Sequence, residues 1–105
     1  MEKNITKIGV YPGTFDPITL GHLDIIIRAG KLFDKVIIAV AEDNTKNPIF
    51  NIDERKKFIQ HSTSNLKNIE VSSFKGLLVN YASEKNALSI IRGLRVLSDF
   101  EDEFK

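Results

Sequence analysis

The sequence of 105 residues contains no cysteine. That absence excludes disulfides, thiolate metal sites and cysteine nucleophiles. Tryptophan is also missing, Met1 is the sole methionine, and histidine occurs twice, as His22 and His61. Neither sign of charge dominates. Fifteen Lys and Arg against fourteen Asp and Glu leave a formal net charge of +1. No basic field exists to hold nucleic acid non-specifically, so no nucleic-acid partner is expected. An anionic ligand must instead be gripped by a few placed cations. No apolar run approaches the roughly 20 residues that a bilayer-spanning helix requires. The charged opening, residues 1–7, is not followed by the apolar stretch of a signal peptide. No membrane partner is expected, and the expected location is the cytoplasm. The hydrophobic fraction of 42% and charged fraction of 28% are those of an ordinary globular protein. The length fits one domain or part of one.

What is present alternates short β-branched runs with amphipathic segments. Residues 7–11 read as a first strand, ended by Pro12-Gly13. Residues 21–33 read as a helix, with Leu23, Ile26, Ile27, Gly30 and Phe33 as its apolar stripe. Residues 35–41 form a near-continuous apolar run, the pattern of a parallel strand buried on both faces. A polar loop spans residues 42–50. Asn51 is a plausible N-cap with Glu54 three residues on, as in a capping box, for a helix reaching about Ser62. Residues 69–73 read as a third strand, 77–85 as a short helix and 87–91 as a fourth strand. A last helix runs from Val96 to Lys105, with Leu97, Phe100 and Phe104 on one stripe.

This order implies the α/β class: a Rossmann-like, doubly wound parallel sheet with right-handed crossovers, in a single domain over residues 1–105. The last helix carries an apolar stripe but no C-cap signal, and four strands are few for such a fold. The domain is therefore expected to be incomplete at its C-terminus.

In open α/β sheets ligands bind at the carboxyl ends of the strands, so the segments after the four strands hold the candidates. The first contains Gly13, Thr14, Phe15 and Asp16 and closes on Gly21-His22. The glycines permit tight turns. His22 opens a helix whose N-terminus favours an anion. A solvated surface histidine is the bland alternative, but the density of the loop favours a phosphate donor. The loop is neither a P-loop nor a dinucleotide fingerprint, because it lacks Gly-Lys-Ser/Thr and the required glycine spacing. After the second strand, Lys46 could reach a phosphate or simply be solvated. After the third, Lys75-Gly76-Leu77-Leu78 could offer backbone amides and apolar walls, or core packing. After the fourth come Arg92 and Arg95. A cation at the end of an inner strand is costly without an anion, and arginine suits bidentate phosphate recognition. Ion pairs with Asp99 or Glu103 are the competing reading. His61, Lys56 and Lys57 read as solvated helix residues.

Gly13-Thr14-Phe15-Asp16-Pro17 followed by Thr19-Leu20-Gly21-His22 resembles the signature of the nucleotidylyltransferase superfamily, with Thr19 at the first histidine of its His-x-Gly-His motif. The Thr-x-Gly-His form is that of the bacterial phosphopantetheine adenylyltransferase family. Lys46-Asn47-Pro48-Ile49-Phe50 with Glu54-Arg55, Phe74-Lys75-Gly76-Leu77-Leu78, and Ile91-Arg92-Gly93-Leu94-Arg95 leading into Asp99-Phe100-Glu101 agree with that family in order and spacing.

The resemblance implies transfer of an adenylyl group from ATP to 4′-phosphopantetheine, giving dephospho-coenzyme A and pyrophosphate. It implies a catalytic His22. Thr14, Lys46, Leu78 and Arg92 would bind 4′-phosphopantetheine. Thr14, Phe15, His22, Gly93, Leu94, Arg95 and Glu103 would lie on the ATP side. Mg²⁺ would arrive with ATP, and no protein metal site is implied. Dephospho-coenzyme A or coenzyme A would bind as product-like ligands, and a homohexamer is implied for the full-length protein. The family also carries a fifth strand, a serine-rich nucleotide motif and C-terminal helices, all missing here. Two other readings compete. One is a sister nucleotidylyltransferase acting on another phosphate substrate, against which Thr19 and Gly76-Leu77-Leu78 argue. The other is a non-catalytic piece that binds phosphopantetheine or partner subunits, with the stripe Leu97, Phe100, Phe104 driving association.

Overall fold

The computed structural model describes residues 6–43 and 47–93. Four strands and three helices alternate: β1 Ile8–Gly13, α1 Leu20–Leu32, β2 Lys35–Ala41, α2 Ile52–Ser62, β3 Ile69–Phe74, α3 Leu78–Glu84 and β4 Ser89–Ile90. All described strands pair in parallel, in the order β3-β2-β1-β4. The expected α/β, Rossmann-like parallel sheet with four strands is thus observed. The helix expected from Val96, and with it Leu97, Phe100 and Phe104, lies outside the described residues.

β2 explains the two-faced burial. Its side chains alternate between two apolar clusters, so both faces of the strand are covered. Val36, Ile38 and Val40 pack with Tyr11, Phe15, Ile26 and Ala29 of the β1–α1 unit and Ile59 of α2. Ile37, Ala39 and Ala41 pack with Val10, Phe74 and Tyr81 of α3. Helices α1 and α2 therefore cover one face and α3 the other, which makes the sheet doubly wound.

Several boundaries differ from the sequence expectation. The strand β1 continues through Pro12 and Gly13, which pair with Ala39 and Val40. Proline is tolerated there because the β4 ladder on the other side of β1 stops at Val10. The strand β4 is shorter than residues 87–91. Asn86, at φ 59°, closes α3 with a Schellman turn, in which Ala87 N–H donates to the Ala82 carbonyl and Asn86 N–H to the Ser83 carbonyl. Ala87 thus belongs to the helix stop, not to the strand.

The buried stripe of α1 is also rotated by about one residue. Ile26 and Ala29 are buried and Ile25 and Phe33 pack beside them, whereas Ile27 is 40% exposed. Gly30 contributes a carbonyl rather than packing surface, accepting from Asn68 Nδ2 at 3.0 Å. The Asn51–Glu54 capping box forms as expected, with Glu54 N–H donating to Asn51 Oδ1 at 2.8 Å and Asn51 N–H to Glu54 Oε1 at 3.0 Å.

Candidate active site

The chain moves outward from β1 to β2 and β3, then returns to place β4 on the opposite side of β1. That reversal makes β1 the switch strand, and the carboxyl end of β1 is where a ligand is expected in such a sheet. Three loops meet there.

The loop after β1 is built around Phe15. Its backbone has φ 49°, and its ring is folded back into the core at 2% exposure. The ring meets Tyr11 edge-on at 5.4 Å and His22 at 4.8 Å. A Cβ on Gly13 would lie 2.9 Å from Phe15 Cε2, so glycine is required for this ring position. Because the Phe15 side chain is core, this residue can offer a ligand only its backbone.

Asp16 ties this loop to the next. Its carboxylate accepts from Ile49 N–H at 2.6 Å and from Phe50 N–H at 2.8 Å. Arg55, on α2, completes the junction. It is 2% exposed. Its Nη1 donates to the carbonyls of Thr14 at 2.9 Å and Ala41 at 3.3 Å, and its Nε to the Phe50 carbonyl at 3.0 Å. A third link joins the loop after β3, where Gly76 N–H donates to Asp43 at 3.1 Å. Gly76 sits at φ 84°, in the left-handed region that favours glycine.

These junctions leave a hollow of about 370 Å³ between the ends of β1, β2 and β3 and the start of α3. Gly13, Thr14, Ala41, Phe74, Gly76 and Leu78 line it. Thr14 and Leu78, two of the residues expected to bind substrate, therefore share one cavity. Arg92 and Gly93 line a separate hollow of about 380 Å³ between α1 and β4, whose walls are mainly the apolar Ile25, Ala29, Phe33 and Ile91. Arg92 is exposed at the end of β4. Lys46, Leu94, Arg95 and Glu103 lie outside the described residues. His61 is exposed, as expected of a solvated helix residue.

His22 stands at the first turn of α1. Thr19 is the N-cap: its Oγ1 accepts from His22 N–H at 3.2 Å, and its own N–H donates to His22 Nδ1 at 3.0 Å. Histidine here takes the part that Glu or Gln usually plays in a capping box. Burial lowers the His22 pKa from its ordinary 6.5, and burial raises that of Tyr11 beside it. At neutral pH both rings are therefore uncharged hydrogen-bonding groups. Among the described residues no three His, Asp or Glu converge to hold a metal ion.

The sequence reading missed Arg55 and Asp43 as site builders. One signal was available for Arg55. It lies at i+3 from Ile52 and i−4 from Ile59, so a cation occupies the helix face that packs inward. Asp43 gave none, since its partner Gly76 is far away in sequence.

Fold and loops together define a Rossmann-like α/β protein with three loops meeting at the carboxyl end of its switch strand. The chain belongs to the cytidylyltransferase-like family, whose model matches residues 10–105. It is 56% identical over 99 residues to the phosphopantetheine adenylyltransferase of Helicobacter pylori (strain ATCC 700392 / 26695), covering 94% of this chain and 63% of that protein. It is 57% identical over 102 residues to the phosphopantetheine adenylyltransferase of Thermodesulfovibrio yellowstonii, covering 96% and 63%. The chain thus spans somewhat under two thirds of the length of these relatives. In structure it is similar to a lipopolysaccharide core biosynthesis protein from Thermoplasma volcanium, with a TM-score of 0.64 and 26% identity over 81% of this chain and 72% of that one.

Proposed function

We propose that this chain serves adenylyl transfer from ATP to 4′-phosphopantetheine. A phosphate oxygen of 4′-phosphopantetheine attacks the α-phosphorus of ATP. The bond from that phosphorus to the β-phosphate bridging oxygen breaks, leaving dephospho-coenzyme A and pyrophosphate. The nucleophile is already ionised at pH 7, so no general base is needed. Catalysis then consists of positioning and of stabilising charge on the transferring phosphoryl group.

The observation that carries this reading is the placement of Thr14 and Leu78 in one hollow at the end of the switch strand, with His22 at the start of the helix that follows the same loop. In this reading His22 donates to the transferring group and Thr14 contacts both substrates. Leu78 packs against the pantetheine arm, and Lys46 and Arg92 hold its phosphate. Phe15, through its backbone, and Gly93, Leu94, Arg95 and Glu103 lie toward the nucleotide. Mg²⁺ enters with ATP, held by phosphates and water; the described residues build no cage for it. Dephospho-coenzyme A and coenzyme A bind as product-like ligands. The full-length protein assembles as a homohexamer in the cytoplasm.

The test is calorimetric titration of the chain with 4′-phosphopantetheine. Saturable binding that weakens at least tenfold in Arg92→Ala supports the reading. Binding unchanged in that variant moves the phosphate elsewhere. No binding by a chain whose circular dichroism shows a folded α/β domain overturns the reading.

A further inference from the structure

The Thr19–His22 pair determines more than a helix cap. Nδ1 of His22 lies 3.0 Å from the Thr19 backbone nitrogen and 3.1 Å from the Thr19 hydroxyl oxygen. A backbone N–H can only donate. Nδ1 must therefore present its lone pair, and the neutral ring carries its proton on Nε2. The hydroxyl oxygen accepts from His22 N–H, which leaves its own hydrogen able to point at Nδ1 as well. Both Thr19 groups thus act on the same nitrogen in the same sense.

We propose that the backbone N–H of Thr19 positions His22 for phosphoryl chemistry by fixing its Nε2–H tautomer, so that Nε2 is a neutral hydrogen-bond donor. The proposal rests on the reading of His22 as the donor to the transferring phosphoryl group, and it names the nitrogen that donates. Moving the proton to Nδ1 would set two donors 3.0 Å apart and undo the side-chain half of the capping box. Protonating the ring would do the same, and the positive end of α1 further disfavours a cation there. Burial of the ring acts in the same direction.

The rings packed against His22 are Phe15 and Tyr11, and the Tyr11 phenol is uncharged below its raised pKa. On α1 itself Asp24 is paired with Arg28 on the exposed face. None of these groups supplies a charge that would hold an imidazolium.

The experiment is nitrogen-15 NMR of histidine-labelled chain without ligand, with exposed His61 as the reference inside the same molecule. At pH 8 His22 is expected to show one tautomer, with Nδ1 unprotonated and Nε2 protonated, while His61 shows an averaged pattern. His22 is also expected to titrate below the ordinary histidine value of 6.5. Thr19→Val retains the N–H and is expected to retain the tautomer. A His22 protonated at Nδ1, or a pattern indistinguishable from that of His61, overturns the proposal. Loss of the tautomer in Thr19→Val overturns the assignment to the backbone N–H. Because no ligand is present, a correct tautomer in a chain that fails to bind 4′-phosphopantetheine would overturn the function and leave the positioning intact.

Discussion

Arg55 Nη1 donates to the carbonyl oxygen of Thr14 at 2.9 Å, across 41 positions of sequence. This one contact joins α2 to the loop that carries the candidate ligand residues. With its bonds to the Ala41 and Phe50 carbonyls, it gathers three acceptors from three segments inward. The guanidinium is suited to this, because its planar fork presents several donors in fixed directions.

Removing that fork should loosen the junction. Arg55→Met fills much of the volume but leaves three inward carbonyls without their donor. The bond to Ala41 is buried and those to Thr14 and Phe50 are partly so; a buried acceptor that loses its donor costs about 1–3 kcal/mol, and a loss of that order is expected from urea unfolding. Arg55→Lys should recover only part of it, because one ammonium cannot serve three separated acceptors. A change below about 0.5 kcal/mol, within the range of ordinary surface substitutions, would contradict the bracing role.

Two glycines should respond in opposite ways. Gly13→Ala drives a Cβ to 2.9 Å from the buried Phe15 ring. Overpacking of this kind costs about 1–3 kcal/mol and would appear as a lower Tm. Gly21→Ala meets nothing nearer than Thr19 Oγ1 at 3.6 Å, in the first turn of a helix. There alanine is expected to be neutral or stabilising by up to about 1 kcal/mol. Equal effects at the two sites would contradict the packing described.

Acid should destabilise the chain through His22. The folded-state pKa of His22 is lowered by burial from 6.5, so below about that pH the unfolded chain binds more protons than the folded one. Stability therefore falls as pH drops from 6.5 toward the folded value. His22→Gln should flatten that part of the stability profile. An unchanged slope would place the effect elsewhere.

Replacing His22 should cost rate more than affinity. Loss of one preorganised transition-state donor lowers kcat by about 10²–10³-fold. Pyrophosphate release by the full-length enzyme carrying His22→Ala checks this. A near-normal rate would remove His22 from the chemistry.

The elements were legible where local patterns act alone. The apolar run of β2 announced a strand covered on both sides, and Asn51 with Glu54 announced the start of α2. Legibility failed where tertiary contacts decide. The stripe of α1 is centred on Ile26 and Ala29, with Ile25 beside them and Ile27 40% exposed, because contact with the sheet sets which face turns inward. Asn86 used a left-handed turn to claim Ala87 for the end of α3, which no apolar pattern reveals. Thr14 and His22 stood out because one short stretch, the loop after β1 and the first turn of α1, holds both. Arg55 and Asp43 did not, because their partners come from distant segments. That Phe15 would face the core rather than a ligand depended on its contacts with Tyr11 and Gly13.

The most direct measurement is an amide proton–nitrogen correlation map of the chain titrated with 4′-phosphopantetheine. The account requires the largest shifts at Gly13, Thr14, Gly76, Leu77 and Leu78, around the hollow at the carboxyl ends of β1 and β3. Saturable shifts confined to Ile25, Leu32 and Phe33 on and just after α1, or to Phe50, Phe58 and His61 on and just before α2, would place the ligand outside that hollow and contradict the site.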